Sequence, residues 1–175
     1  MSKPDPLPVT LVPASLLRQT HDMIGLLQRV TEANVSIAGE IVGAIDRGLL
    51  VLVGVEKSDT EAEAERLAQR LINYRVFADE HGRMNLNVAQ VKGGLLLVPQ
   101  FTLVADTEQG NRPGFSRAAD PATGNRLFTC LVNAVQQSGL PVATGRFGAD
   151  MQVRLLNDGP VTISLSVSAA GSKGA

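Results

Sequence analysis

Two histidines, one cysteine and two short segments with unusual polar and proline content are the parts of this chain equipped for chemistry. A nucleophile worked by a general base needs a histidine held within hydrogen-bond reach. His21 lies in a proline-broken N-terminal stretch and His81 in the exposed turn Asp79-Glu80-His81-Gly82, so a Ser-His-Asp arrangement has poor material here. Cys130 falls inside a helical stretch, where a free cysteine ordinarily serves as a small core residue. No His/Cys/Asp cluster has metal-ligand spacing, and no glycine loop of the P-loop or dinucleotide type occurs. Gly54, within Val53-Gly54-Val55, reads as a packing or bulge feature of a strand. That leaves Val98-Pro99-Gln100-Phe101-Thr102-Leu103 and Asn157-Asp158-Gly159-Pro160-Val161-Thr162. Pro99 cannot donate to a ladder and marks a strand edge or bulge. Gln100 is either a satisfied polar residue or a binding group, and Thr102 either an ordinary strand threonine or a reactive hydroxyl. The second segment, taken alone, reads as a hairpin turn.

These segments need elements to hold them. Ile24 to Ala33 reads as a strand. Val35–Ile37 and Glu40–Ile45 flank the Ala38-Gly39 turn as a hairpin, and Asp46-Arg47-Gly48 turns into Leu49–Val55. That last run is apolar at every other position and between, as in a central strand covered on both faces. A helix is predicted from about Thr60 to Asn73, capped by Ser58 or Asp59 and favoured by Glu61, Glu63 and Glu65 near its N-terminus. Its Ala64, Leu67, Ala68, Leu71 and Ile72 form the stripe of a helix lying on a sheet. Gly93-Gly94 is a turn, and Gly94 to Leu103 reads as a second apolar strand interrupted by Pro99. The polar stretch from Val104 to Asp120 is long enough for a functional loop. Asp120-Pro121 opens a second helix with Phe128, Leu131, Val132 and Val135 on its apolar face, ended by Gly139 and Pro141. Met151–Asn157 and Val161–Val167 read as two strands joined at Asp158-Gly159-Pro160.

The sum is a single mixed α/β domain over residues 23–168, with a curved, barrel-like mixed β-sheet and two covering helices. Residues 1–22 show neither period and read as a disordered N-terminal extension, and residues 169–175 as a frayed tail. The whole chain has 175 residues, enough for one core, and is 44% hydrophobic but only 3% aromatic. Leu, Val, Ile and Ala must therefore fill that core. A single cysteine excludes an intrachain disulfide. No apolar run reaches the roughly 20 residues that span a bilayer, and Pro4, Pro6, Pro8 and Pro13 interrupt any signal-like stretch, so a cytosolic protein is expected. A net charge of −1 argues against DNA binding and leaves only a local contact with RNA.

Together, Pro99–Leu103 and Asn157–Thr162 resemble the paired signatures of the D-aminoacyl-tRNA deacylase family. The likeness extends to Met23-Ile24 with Leu27-Gln28-Arg29-Val30, to Leu49–Val55, and to the loop from Ala105-Asp106-Thr107 through Arg112-Pro113 and Phe115-Ser116, and it runs from Met23 to Val167. The resemblance implies a cofactor-free, metal-free hydrolase that frees D-amino acids, and glycine mischarged on tRNA(Ala), from the 3′ end of tRNA. It also implies a homodimer with active sites at the subunit interface. Gly159 and Pro160, as a cis dipeptide, would enter the partner's pocket as a wall against L-aminoacyl groups. Val161 and Thr162 would flank that wall and Arg29 would fix it from beneath. Gln100 and the Phe101 amide would hold the ester carbonyl. Thr102 would sit in the pocket without acting as nucleophile, the RNA 2′-hydroxyl assisting water instead. Pro99 departs from the family's usual serine and is similar to a related animal group whose pocket admits L-alanine. Phe101, Arg29 and the Asn157–Thr162 segment match the D-specific group.

Overall fold

The computed structural model describes residues 22–168. The readings of an N-terminal extension and a frayed tail fall outside these residues, except that Asp22 is already part of the first strand. In order, the elements are β1 (Asp22–Ile37), β2 (Glu40–Ile45), β3 (Gly48–Gly54), α1 (Glu61–Asn73), β4 (Phe77–Ala78), β5 (Met84–Leu86), β6 (Gly94–Pro99), a 3₁₀ turn (Phe101–Val104), α2 (Pro121–Gln136), β7 (Val142–Thr144) and β8 (Gln152–Ser168).

The main sheet runs β2-β1-β3-β6-β7, with β8 paired along the other side of β1. The chain goes from β3 through α1 to β6, and from β6 through α2 to β7, and both strand pairs are parallel. Parallel neighbours need crossovers, and crossovers of one hand put their helices on one face. Both helices accordingly cover the same side. Along β3, Leu49, Val51 and Val53 face the helices, while Leu50 and Leu52 face the opposite side. On β6, Leu95 and Leu97 share the helix side, and Leu96 and Val98 the other. That second side is also dry. Val30, Ala33 and Val35 of β1, with Val42, Ala143 and Val153 from β2, β7 and β8, close over it and curl the sheet into a nearly complete barrel. The expected mixed α/β, barrel-like domain is the one observed.

Particular elements differ from expectation, each for a local reason. β1 is one strand, because β8 pairs with it along nearly its whole length. The Ala38-Gly39 hairpin stands as read, with both residues at positive φ (50° and 84°) and Ile37 paired to Glu40. Thr60, not Ser58 or Asp59, precedes α1: the Glu63 carboxylate accepts the Thr60 N–H at 2.9 Å and its hydroxyl at 2.5 Å. Asp59 is occupied elsewhere, accepting the Glu56 N–H at 2.7 Å. The cap of α2 is Asp120 as expected, accepting the Thr123 N–H at 3.0 Å. The strand predicted to run to Leu103 ends at Pro99, and the chain coils into the 3₁₀ turn. The two predicted C-terminal strands are a single strand, β8, and β7 was not anticipated.

Candidate functional site

Pro99 and its successors occupy the carboxyl end of a parallel strand, a common place for ligands in sheets of this kind. The Gln100 N–H extends the ladder once more, donating to Val53 O at 2.7 Å, and then the backbone turns. Leu103 N–H donates to Gln100 O and Ala105 N–H to Thr102 O, both at 3.2 Å. The first amides of such a turn have no carbonyl behind them inside it, so the Phe101 and Thr102 N–H groups lead an electropositive end. Gly54 lets the turn sit down on β3, since a Cβ there would lie 2.9 Å from Leu103 Cβ. The strand glycine is thus a packing residue, as its sequence context suggested.

The Gln100 carboxamide donates a short hydrogen bond to Thr102 Oγ1. Pro99, Gln100 and Phe101 line a cavity of about 260 Å³ with Asp150, Met151 and Val153. On the other side of Phe101 lies an apolar cavity of about 430 Å³ between Pro99, Phe115, Ala119 and Phe147. Phe101 is 58% exposed and meets Phe115 edge to face, ring centroids 5.0 Å apart. A larger groove, about 770 Å³, separates α1 from α2 and is lined by Glu61, Glu65, Arg66 and Arg126. Of the residues weighed for chemistry in the sequence, Cys130 reaches it. Burial, then the nearby Glu61 and Glu65 carboxylates, push that thiol above its ordinary pKa, which makes it a poor nucleophile. His81 sits in its exposed turn beside Glu80 at 3.5 Å.

Phe115 is held in place by an anchor the sequence did not reveal. Glu56, wholly buried, pairs with Arg117. Lys57 N–H donates to Arg117 O, and Ala119 N–H to Val55 O, each at 3.0 Å. Beside them burial raises the Asp59 carboxyl to about 7, with further upward pushes from Glu56, Glu63 and Asp22 against the lowering bond from the Glu56 amide. Arg117 answers Glu56, and Arg66 answers Glu63. A carboxyl whose folded pKa exceeds its unfolded value of 3.8 contributes stability that is complete below about pH 4 and lost as pH rises through about 7. Asp59→Asn keeps an acceptor for the Glu56 amide and removes the charge. It is expected to raise stability at pH 8 by on the order of 2–4 kcal/mol and to change little at pH 4. Urea unfolding at both pH values checks this; equal effects at the two would contradict it.

The second segment lies elsewhere. β8 takes five residue steps from Asn157 to Thr162, while β1 takes only two from Val30 to Gln28, so the intervening residues bulge out of the pairing. Both flanks pair with the same strand in the same direction, which is why the expected hairpin does not form. The Gly159–Pro160 peptide is cis, and both residues are exposed. Arg29 Nε donates to Asp158 O at 2.8 Å and its Nη1 to Val76 O at 2.5 Å. The Arg29–Asp158 charge pair is 3.5 Å long. Within one chain the two segments do not meet. Arg29 pairs with Leu49 and Pro99 with Val53, four residues along β3, a separation on the order of 13 Å. Phe115, Phe147, Asp150 and Met151 complete the surroundings of Phe101 and were not picked out as site residues. The clustering of Gly145, Gly148 and Met151 about Phe147, immediately before β8, was the available signal.

The fold and these two sites define a small mixed α/β domain with a pocket at a strand end and an exposed bulge remote from it. A model of the D-Tyr-tRNA(Tyr) deacylase family matches residues 26–166, and the chain belongs to that family. It is 59% identical over 145 residues to a D-aminoacyl-tRNA deacylase of Alteromonas mediterranea, covering 83% of this chain and 100% of that one. It is 63% identical over 143 residues to the D-aminoacyl-tRNA deacylase of Pseudomonas fluorescens, covering 82% and 99%. Among solved structures it is similar to one named c-Myc DNA Unwinding Element Binding Protein, with a TM-score of 0.79 at 36% identity, covering 84% of this chain and 100% of that one. No helix among the described residues is long and apolar enough to cross a membrane.

Proposed function

We propose that this protein hydrolyses the ester of D-aminoacyl-tRNA, releasing the D-amino acid and free tRNA, and that it also clears glycine mischarged on tRNA(Ala). The observation that carries the reading is the Phe101–Val104 turn that follows Pro99, with its leading amides and adjoining cavity, in a chain of this family. The ester carbonyl oxygen accepts the Phe101 N–H, which stabilises the negative charge that develops there. Gln100 orients the aminoacyl group, and the terminal base lies against the aromatic cavity of Phe101, Phe115 and Phe147. Water, positioned by the 2′-hydroxyl, adds to the carbonyl carbon. The tetrahedral intermediate collapses, the bond to the 3′ oxygen breaks, and the proton from water ends on that oxygen. Orientation and one oxyanion donor suffice for an already labile ester.

Thr102 has a hydroxyl near this path, yet its oxygen takes a bond from Gln100, and the one histidine among the described residues, His81, sits in the exposed turn at Asp79–Gly82. Thr102→Ala is therefore expected to keep hydrolysis within about tenfold of the parent, where loss of a true nucleophile costs on the order of 10⁶. Single-turnover hydrolysis of D-tyrosyl-tRNA measures this; abolished cleavage with binding intact would overturn it.

A homodimer assembles the complete site. The distance between the two segments in one chain supports this, as does the outer edge of β8, which has no strand partner among the described residues. Ile41 (65% exposed) and Leu156 (58% exposed) offer apolar surface on β2 and β8. Gly159 and Pro160 enter the partner's pocket, with Val161 and Thr162 at their base, and their carbonyls stand where an L-side chain would go. A D-residue points away and glycine has nothing to clash, so one backbone wall rejects L-substrates whatever their side chain. The cytoplasm, where charged tRNA is used, is the proposed site of action. Pro99 favours one alternative, an L-alanine-editing pocket. Incubation with D-tyrosyl-, glycyl- and L-alanyl-tRNA tests the choice: hydrolysis of the first two is expected, and release of L-alanine alone would defeat it. Binding without any hydrolysis would point instead to a nucleic-acid-binding domain.

A further inference from the structure

The Asn157 side chain replaces the ladder that β8 loses at its bulge. Residues 158–161 have no pairing partner on β1. Across that gap the Asn157 carboxamide behaves as a peptide group would. Its Oδ1 accepts the Val161 N–H at 2.7 Å, and its Nδ2 donates to Val161 O at 3.1 Å. Nδ2 also reaches Thr162 Oγ1 at 3.0 Å and Gln28 Oε1 at 3.3 Å, so two protons serve three acceptors. Only an oxygen can accept from Val161 N–H and only a nitrogen can donate to Val161 O, which fixes the orientation of the amide. The ring so formed encloses Asp158, Gly159 and Pro160. Arg29 grips the same segment from the other flank through Asp158 O.

We propose that Asn157 is the positioning residue that sets how far Gly159 and Pro160 project, and so sets the stringency of enantiomer rejection. This rests on the deacylase reading and extends it, since Asn157 itself touches no substrate. A dipeptide held on one flank by Arg29 alone swings about that contact, and a backbone wall that has shifted no longer meets the L-side chain. D-substrates lose less, because the carbonyl-binding turn at Gln100 and Phe101 is built by other residues.

The experiment compares initial rates on D-tyrosyl- and L-tyrosyl-tRNA for the parent, Asn157→Ala, Asn157→Asp and Leu71→Val. Asn157→Ala is expected to lower the D-to-L rate ratio by about tenfold or more, as displacement of a wall demands. Asn157→Asp keeps the acceptor for Val161 N–H and loses the Nδ2 donors, so its ratio falls between those of the parent and the alanine variant. Leu71→Val loosens the core under α1 without removing any of the Asn157 bonds and should keep the parent ratio. A folded Asn157→Ala with a ratio within about twofold of the parent overturns the proposal, as does an equal fall in Leu71→Val. If the alanine variant does not fold, Asn157→Asp decides by the same measure. A parent that hydrolyses neither substrate defeats the deacylase reading itself, and this inference with it.

Discussion

Replacing Gly159 with alanine is expected to remove most discrimination against L-substrates, lowering the D-to-L rate ratio for aminoacyl-tRNA hydrolysis by on the order of 100-fold. Gly159 has φ +148°, a region that L-residues with side chains rarely enter. A Cβ there would stand 2.8 Å from Val161 Cγ2, 3.0 Å from Val161 N and 3.1 Å from Arg29 Nη2. The valine methyl and the arginine can yield, but Val161 N cannot, because it is tied to Asn157 Oδ1. Either the backbone moves or that tie breaks, and in both cases the exposed dipeptide leaves its place. The cost to stability is smaller, about 1–3 kcal/mol, because the strained unit is a surface bulge and not the core. Activity on D- and L-tyrosyl-tRNA, read beside urea unfolding, separates the two effects. Full activity with L-rejection intact would show that the filter lies elsewhere in the molecule.

Why some of this could be seen in the sequence and some could not follows from where the deciding contacts lie. Leu49–Val55 declared itself because both faces of β3 are buried, and such a strand has no polar position to hide behind. The stripe of α1 was legible for the same reason, since Leu67 and Leu71 are wholly buried. β7 has three residues between Pro141 and Gly145, too few to show any period. β8 was read as two strands because Asp158-Gly159-Pro160 has the composition of a turn. Its course is decided by β1, a partner more than a hundred residues away, which pairs with both flanks. Pro99 correctly marked a strand end, but the 3₁₀ turn after it depends on packing against Gly54.

The site divides in the same way. Residue physics left Gln100 and Thr102 ambiguous, and resemblance made them candidates; the structure joins them by a hydrogen bond. Arg29 bonds Asp158 O and Val76 O, and the second of these partners could not be foreseen. Asn157 was visible as a letter in a turn-like segment, but its work depends on a five-step detour in the pairing. Residues that shape a site through distant backbone leave little trace in local composition.

The Glu56–Arg117 pair joins positions 61 residues apart, and Glu56→Ala is expected to have the largest effect on stability of any change considered. Removing Glu56 leaves Arg117, whose side chain is 32% exposed, without its carboxylate, at a cost near the lower end of the roughly 3–5 kcal/mol of a fully buried pair. Arg117 is poorly placed to absorb that loss, because its Nε is buried without a hydrogen-bond partner among the described residues. The damage should not stay at the pair. The Lys57–Arg117 and Ala119–Val55 backbone bonds bind the end of the 105–120 loop to the segment just after β3, and Phe115 lies two residues before Arg117. A loosened loop withdraws Phe115 from the edge of Phe101 and opens the aromatic cavity. KM for D-tyrosyl-tRNA should therefore rise more than kcat falls, since the Phe101 amide proposed to bind the carbonyl is carried by the strand end and not by the loop. Glu56→Gln, which keeps the shape and an acceptor, should recover part of both. Urea unfolding and steady-state kinetics on the three proteins test the chain of contacts. A stability loss with KM unchanged would detach Phe115 from the substrate site, whereas parental stability in Glu56→Ala would refute the anchor.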